Sequence, residues 1–274
     1  MKFWFLVFIS FILLFGCNKV DDGKWGERFW EEDGYFVQKC IDASRIDEGV
    51  LRGKVDGNWQ EFKLIELPEA FQNWSFKSRL ETLAGIPKGE MPSLDGPHNG
   101  IIATYGYRRE DSRFRVNNAI KGCGFLPKKE KMKEVIQLLK DTYDDDYMDK
   151  LQVLTDLYEN PSEYFDMTKQ ISLELYSVPE RGTQTFVNQM TDPTSVIVFM
   201  DYPTFKLKTL AYLLHPENPD LTEYEKDVVE YTNLIHSYFH GDFDKTFIAV
   251  IYNVVEVYNS TPGTKEGKGT KIVP

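Results

Sequence analysis

The sequence predicts an α+β fold: a β-rich N-terminal half, a helical middle, and a C-terminal strand packed on the helices. Three observations carry that prediction. Asp56-Gly57 separates two extended-type runs, helix start and stop signals recur after residue 129, and the run TFIAVIYNVVEVY (246–258) has no turn signal. Aspartate-glycine is a strong hairpin signal because a type I′ turn needs positive φ at both central residues. β-Branched and aromatic residues in an unbroken run suit a pleated, half-buried surface.

Taken in order, residues 18–26 are polar and small, and the fold begins near Arg28 with Phe29, Trp30, Tyr35, Phe36 and Val37. Val50–Val55 and Trp59–Leu67 form the hairpin around Asp56-Gly57. Phe71, Trp74, Ser78 and Leu80–Leu83 fit an amphipathic helix, with Gly85 free to take the left-handed conformation at its end. Between Gly85 and Gly100 the run IPKGEMPSLDGPHN holds three prolines, each lacking a backbone donor, so neither helix nor central strand persists there. That surface loop carries Met91, Asp95 and His98, the candidate binding residues. Ile101–Tyr107 and Arg113–Val116 follow as strands around a charged turn.

Residues 129–142, 147–158 and 162–176 read as helices; in the last, Tyr164, Thr168, Ile171 and Leu175 share a face. Asn160, Pro161 and Glu163 supply its start signal. Ser195–Met200 reads as a short buried strand and Leu207–Leu214 as a helix stopped by His215-Pro216. Thr222 with Glu225 caps a helix running to His240 and ending at Gly241, before the strand over 246–258. Residues 28–259 make one domain, and 260–274 a flexible tail.

Ahead of the domain, Met1-Lys2 is followed by Phe3 to Phe15, apolar throughout except for Ser10, and then by Gly16-Cys17. One positive charge before a 13-residue apolar run, shorter than the roughly 20 residues of a spanning helix, is the pattern of a signal peptide covering 1–16. Its end, Leu14-Phe15-Gly16-Cys17, resembles the lipobox of bacterial lipoproteins, although Phe15 is larger than that pattern usually allows. The resemblance implies lipidation of Cys17, a lipidated tether over 17–27, attachment to a membrane through the lipid anchor, and residence in the bacterial cell envelope. With Asn18 after the cysteine in place of aspartate, it implies the outer membrane in a Gram-negative host.

The chain carries 43 acidic against 32 basic residues, a net charge of -11. Such a balance opposes nucleic acid and anionic lipid as partners and favours solubility or a basic protein partner. Cys40 and Cys123 are the two cysteines left beside Cys17. In an oxidising compartment they either pair, closing a loop worth on the order of 4 kcal/mol, or remain buried thiols.

No complete catalytic motif is present. His236 and His240 stand four apart on a predicted helix, a spacing that suits one metal ion, yet Ser237 stands where a zinc protease carries glutamate. Ser93, Asp95 and His98 supply the residue types of a hydrolytic triad from a single loop, whereas triad members normally converge from separate elements, and no Gly-x-Ser-x-Gly elbow exists. Asp141, Asp144–Asp146 and Asp149 lack the glycine and terminal glutamate of a calcium loop. Gly122-Cys123-Gly124 is too short to cradle a phosphate, and no cofactor fingerprint occurs. Trp25, Trp30, Trp59 and Trp74 serve the core or a partner surface. The expectation is a non-catalytic, protein-binding envelope lipoprotein with an inhibitor, immunity or assembly role. The alternatives are a hydrolase using His98 or the His236/His240 pair and a small-ligand-binding lipoprotein.

Overall fold

The structure is a computed structural model that describes residues 24–108, 112–263 and 269–272. The predicted signal peptide, Cys17 and the predicted tether up to residue 23 lie outside the described residues. A small antiparallel sheet comes first, with β1 (Ile41–Asp42), β2 (Val50–Val55) and β3 (Asn58–Lys63) in that order. The β2–β3 turn is the predicted one, with φ of 49° at Asp56 and 79° at Gly57.

The main sheet contains β4 (Asn99–Tyr105), β5 (Val116–Gly122), β6 (Gly124–Pro127), β7 (Phe165–Glu174), β8 (Thr194–Phe199), β9 (Phe205–Leu214), β10 (Ile248–Asn259) and β11 (Thr270–Lys271). Its order is β5-β4-β8-β9-β10-β7-β6, antiparallel throughout, with β11 beside the end of β10. Only Cys123 separates β5 from β6. Gly122 pairs with Asn99 of β4 while Gly124 pairs with Ile171 of β7, so one bent strand joins both ends of the order and the sheet curls into a closed ring. The glycines around Cys123 thus serve the bend. Gly100 beside it has no alternative, because a Cβ there would stand 2.6 Å from Ile197 Cγ2 and 2.9 Å from Cys123 Sγ.

Among the described residues six helices pack against the ring: α1 (Glu69–Gly85), α2 (Met132–Asp141), α3 (Tyr147–Glu159), α4 (Pro161–Tyr164), α5 (Gln184–Thr191) and α6 (Glu223–His240). The mixed α+β class is as the sequence predicts, and α6 carries the predicted capping box between Thr222 and Glu225. At the end of α1, Gly85 keeps right-handed geometry and a 3-10 turn (Ile86–Lys88) follows; Gly89, with φ of 82°, takes the left-handed position instead.

Two predicted helices are strands. Over 162–176 only the single turn α4 forms, and from Phe165 the chain is β7; Leu207–Leu214 lies within β9. In both, strict alternation is the signal that governs. Gln170, Ser172 and Glu174 alternate with Ile171 and Leu173, and Phe205, Leu207 and Thr209 alternate with Lys206 and Lys208. The segment expected to be a tail returns to the sheet, where Lys271 pairs with Tyr258.

The strand registers place Thr104, Asn117, Ser195, Thr209, Tyr252 and Gln170 on the inner side of the ring. α5 satisfies much of this polar lining. Asn188 donates to Thr104 Oγ1 at 3.0 Å, Gln189 to Ser195 Oγ at 3.1 Å, and Thr185 Oγ1 accepts from Asn117 at 3.0 Å. Phe71 and Trp74 of α1 pack on Phe199 and Phe205. The outer side of β5-β4-β8 carries Val116, Ile120, Tyr105, Ile101, Val196 and Val198, none of them fully buried, and Ile120 is 70% exposed.

Candidate functional site

The loop after Gly89 is held from below by one buried side chain. Arg79, on α1 and 2% exposed, donates from Nη2 to Pro97 O at 2.6 Å and to Cys123 O at 2.8 Å. Its Nη1 reaches His98 Nδ1 at 3.3 Å and Tyr158 OH at 3.4 Å, and the guanidinium lies over the rings of Phe125 and Tyr158. Two carbonyls, a hydroxyl, an imidazole and two ring faces together stabilise a cation without a carboxylate beside it. Arg79 thereby ties α1, the loop and the bend at Cys123 into one unit.

This contact decides what His98 can do. Nδ1 is the acceptor for Arg79, so the ring proton is on Nε2, which is buried without a partner. Burial and the adjacent guanidinium push its pKa down to about 3. A neutral imidazole with neither nitrogen offered to solvent is a positioning group, not a general base. Asp95 instead accepts from Ser93, so the three triad residue types do not assemble. Of the predicted loop residues, Met91 (89% exposed) and Asp95 face outward, and His98 turns in.

The outward part of the loop meets a second segment. Gly96 N donates to Met200 O at 3.0 Å, which brings Met91 and Leu94 into one region with exposed Met200 and Tyr202. Beneath them lies a cleft of about 280 Å³ lined by Glu81, Glu90, Asp95 and Asp201 together with Met91, Pro92 and Ser93. No cation lines it. Lys77 approaches Glu81 at 3.8 Å from outside, and Asp201 is fixed by Trp74 Nε1 at 2.8 Å and by the Tyr202 amide at 2.6 Å. An apolar rim of flexible methionine and aromatic side chains around carboxylates suits a partner that presents apolar and basic groups together. Asp201, Met200 and Tyr202 are absent from the sequence-predicted set; the exposed tyrosine before Pro203 is the nearest signal for them.

A larger cleft of about 610 Å³ is lined by Asp47, Glu130, Glu223, Glu225 and Asp227 with two lysines among them: Lys129 pairs with Asp47 at 2.7 Å, Lys133 with Glu223, and Tyr212 donates to Glu225. Its carboxylates share the wall with paired lysines, whereas no cation lines the cleft beneath Met91.

Cys40 and Cys123 do not form the expected pair. Both are free and buried, Cys40 Sγ donating to Gln189 O at 3.3 Å and Cys123 Sγ directed to Lys121 O at 3.6 Å. They pack in different places, one against α5 and the other in the ring-closing bend. Burial pushes each thiol up to about 12, which leaves almost no thiolate at neutral pH.

The histidines on α6 also diverge. His236 donates from Nδ1 to Thr232 O at 2.7 Å and its Nε2 points toward Gly122, while His240 is exposed at the helix end. Among the described residues no group of three or more histidine, cysteine or acidic side chains is placed to hold a metal ion.

Three histidines make stability pH-dependent. His98 is held near 3, His215 near 4 where Trp30 and Phe36 pack edge-on against it, and His236 is also lowered, burial being the first cause in each. The folded state resists their protonation, so the stability they contribute is complete above the ordinary value of 6.5 and is lost as pH falls toward 3 to 4. The melting temperature is expected to fall between pH 7 and 5, ahead of most carboxylate titration, and His215→Phe should flatten that limb. A flat profile over this range would refute the assignment.

No family model matches the chain, and no curated protein matches it. Among solved structures, it is similar to a Clostridium acetobutylicum protein related to general stress protein 26 of B. subtilis, of the pyridoxinephosphate oxidase family. The identity is 10%, the TM-score 0.34, and the match covers 70% of this chain and 94% of that one.

Proposed function

We propose that this chain is a lipid-anchored envelope lipoprotein that binds a protein partner through the loop over 90–97 and the adjoining Met200–Tyr202 segment. The observation that carries the binding role is the surface formed there: exposed Met91, Leu94, Met200 and Tyr202 around a cleft with four carboxylates and no lining cation. The partner presents a basic, partly apolar segment. An inhibitor, immunity or envelope-assembly role is the class this describes. The anchor rests on the lipobox-like ending at Cys17, and among the described residues no helix is long and apolar enough to cross a membrane.

A photo-crosslinking amino acid at Met91 is expected to give a discrete adduct in intact cells, and the same probe at Glu217 none. Glu90→Lys with Asp95→Lys should weaken the purified interaction about tenfold or more and remove its salt dependence. Absence of an adduct from Met91, Leu94 and Tyr202 alike, or an adduct indifferent to the charge reversal, rejects this surface.

A further inference from the structure

We infer that the partner covering this surface is a second copy of the chain, packed through the outer face of β5-β4-β8 with the strands of the two copies antiparallel. The inference rests on the protein-binding reading of the loop over 90–97 and names its partner. The first observation is that the open sheet face and the loop surface are continuous. Along β8 the outward residues Val196 and Val198 lead to exposed Met200, whose carbonyl accepts from the Gly96 amide of the loop at 3.0 Å. Along β5, Ile120 and Val116 lead the other way to Phe114. The Gly106 amide donates to Arg115 O at 3.3 Å and so carries the β4–β5 ladder one pair beyond Tyr105 and Val116. Ile101, Ala103 and Tyr105 of β4 fill the middle of the face.

The second observation is the size of the patch. Tyr105, Val116, Ile120, Phe114, Met200 and Met91 are each between 45% and 89% exposed. At about 150–250 Å² for a whole aromatic side chain, these six leave on the order of 800 Å² of mostly apolar surface in water. That matches what each partner contributes to a standard stable interface and exceeds the largest patch of a typical monomer. A single basic segment seated in the cleft beneath Met91 would leave most of it uncovered. A second copy covers all of it, because a two-fold interface presents the same patch from both sides and two sheets pack readily face to face.

The third observation is direction. With the strands of the two copies parallel, the cleft holding Glu81, Glu90, Asp95 and Asp201 would meet its own counterpart, and no cation lines it to offset the repulsion. With the strands antiparallel, the two clefts lie at opposite ends of seven-residue β4, about 20 Å apart. Separation of the carboxylates selects this direction whatever the net charge of the opposite end. Each cleft then faces the exposed Arg113-Phe114-Arg115 of the other copy, an apolar ring between two guanidinium groups. The two-fold axis passes near Ala103, midway along the outward residues of β4, where a small side chain lets the sheets approach.

The test uses the mature lipidated protein in detergent, where Cys40 and Cys123 are buried and only introduced thiols react. Light scattering at tens of micromolar is expected to give the protein mass of two chains. Ile120→Asp, at an exposed position that should leave the melting temperature unchanged, should weaken dimerisation about 100-fold, since each substitution enters a two-fold interface twice at about tenfold a copy. A short bis-maleimide should join Asn118→Cys to itself beside the axis. In a mixture of tagged variants it should join Ser93→Cys of one copy to Arg113→Cys of the other, and not Ser93→Cys to itself. A mass of one chain overturns the proposal, and so does a dimer that survives Ile120→Asp or that joins Ser93→Cys to itself. The photo-crosslinking probe at Met91 keeps the two readings apart. An adduct with a different protein ends the second-copy proposal and keeps the binding surface, whereas no adduct anywhere on that surface ends both.

Discussion

Lys121→Met is expected to lower the unfolding free energy by about 3–5 kcal/mol, measured by urea denaturation of the unlipidated domain. Lys121 sits on the strand that closes the ring, and its ammonium donates to Glu174 Oε2 at 2.6 Å across that closure, with the side chains 12% and 1% exposed. Glu174 keeps only neutral donors besides it, Ser177 Oγ at 3.1 Å and the Tyr176 amide at 3.3 Å. Removing the cation leaves a buried carboxylate uncompensated, which costs far more than the pair itself contributes. Adding Glu174→Gln should therefore recover most of the loss. A single-variant loss below about 1 kcal/mol would mean that the pair is solvated, because exposed pairs contribute that little.

The second large effect is expected at Cys17→Ser, which should move the protein from the membrane to the soluble fraction. Each buried methylene of an acyl chain contributes about 0.8 kcal/mol, so two or three chains hold durably where one is marginal. Continued sedimentation of the variant with membranes would reject the lipoprotein reading.

Legibility in the sequence followed the range of the interaction. The β2–β3 turn and the start of α6 were readable because Asp56-Gly57 and Thr222 with Glu225 act on their own neighbours. β7 was misread because Tyr164, Thr168, Ile171 and Leu175 happen to fall at helical spacing. Its alternation also runs contrary to habit, with Gln170, Ser172 and Glu174 on the inner side of the ring beside Tyr252, Val250 and Ile248, and Ile171 and Leu173 on the outer side. For the site, the loop was readable from its prolines and glycines. Asp201 and Met200 could be joined to Met91 and Asp95 only by tertiary structure, and so could the guanidinium of Arg79 that turns His98 inward.

The bend at Cys123 also sets an order of events. Its two halves have partners on opposite sides in the chain: β4 lies just ahead, but β7 arrives only after α2, α3 and α4. While residues up to about 164 are emerging, the front half of the ring has one side open and cannot finish, and closing distant partners is slow in any case. On the proposed lipoprotein reading, in which the chain is threaded unfolded through a translocation channel, this delay is an advantage. The architecture that leaves the mature ring without a free edge also keeps the nascent chain loose until β7 has emerged.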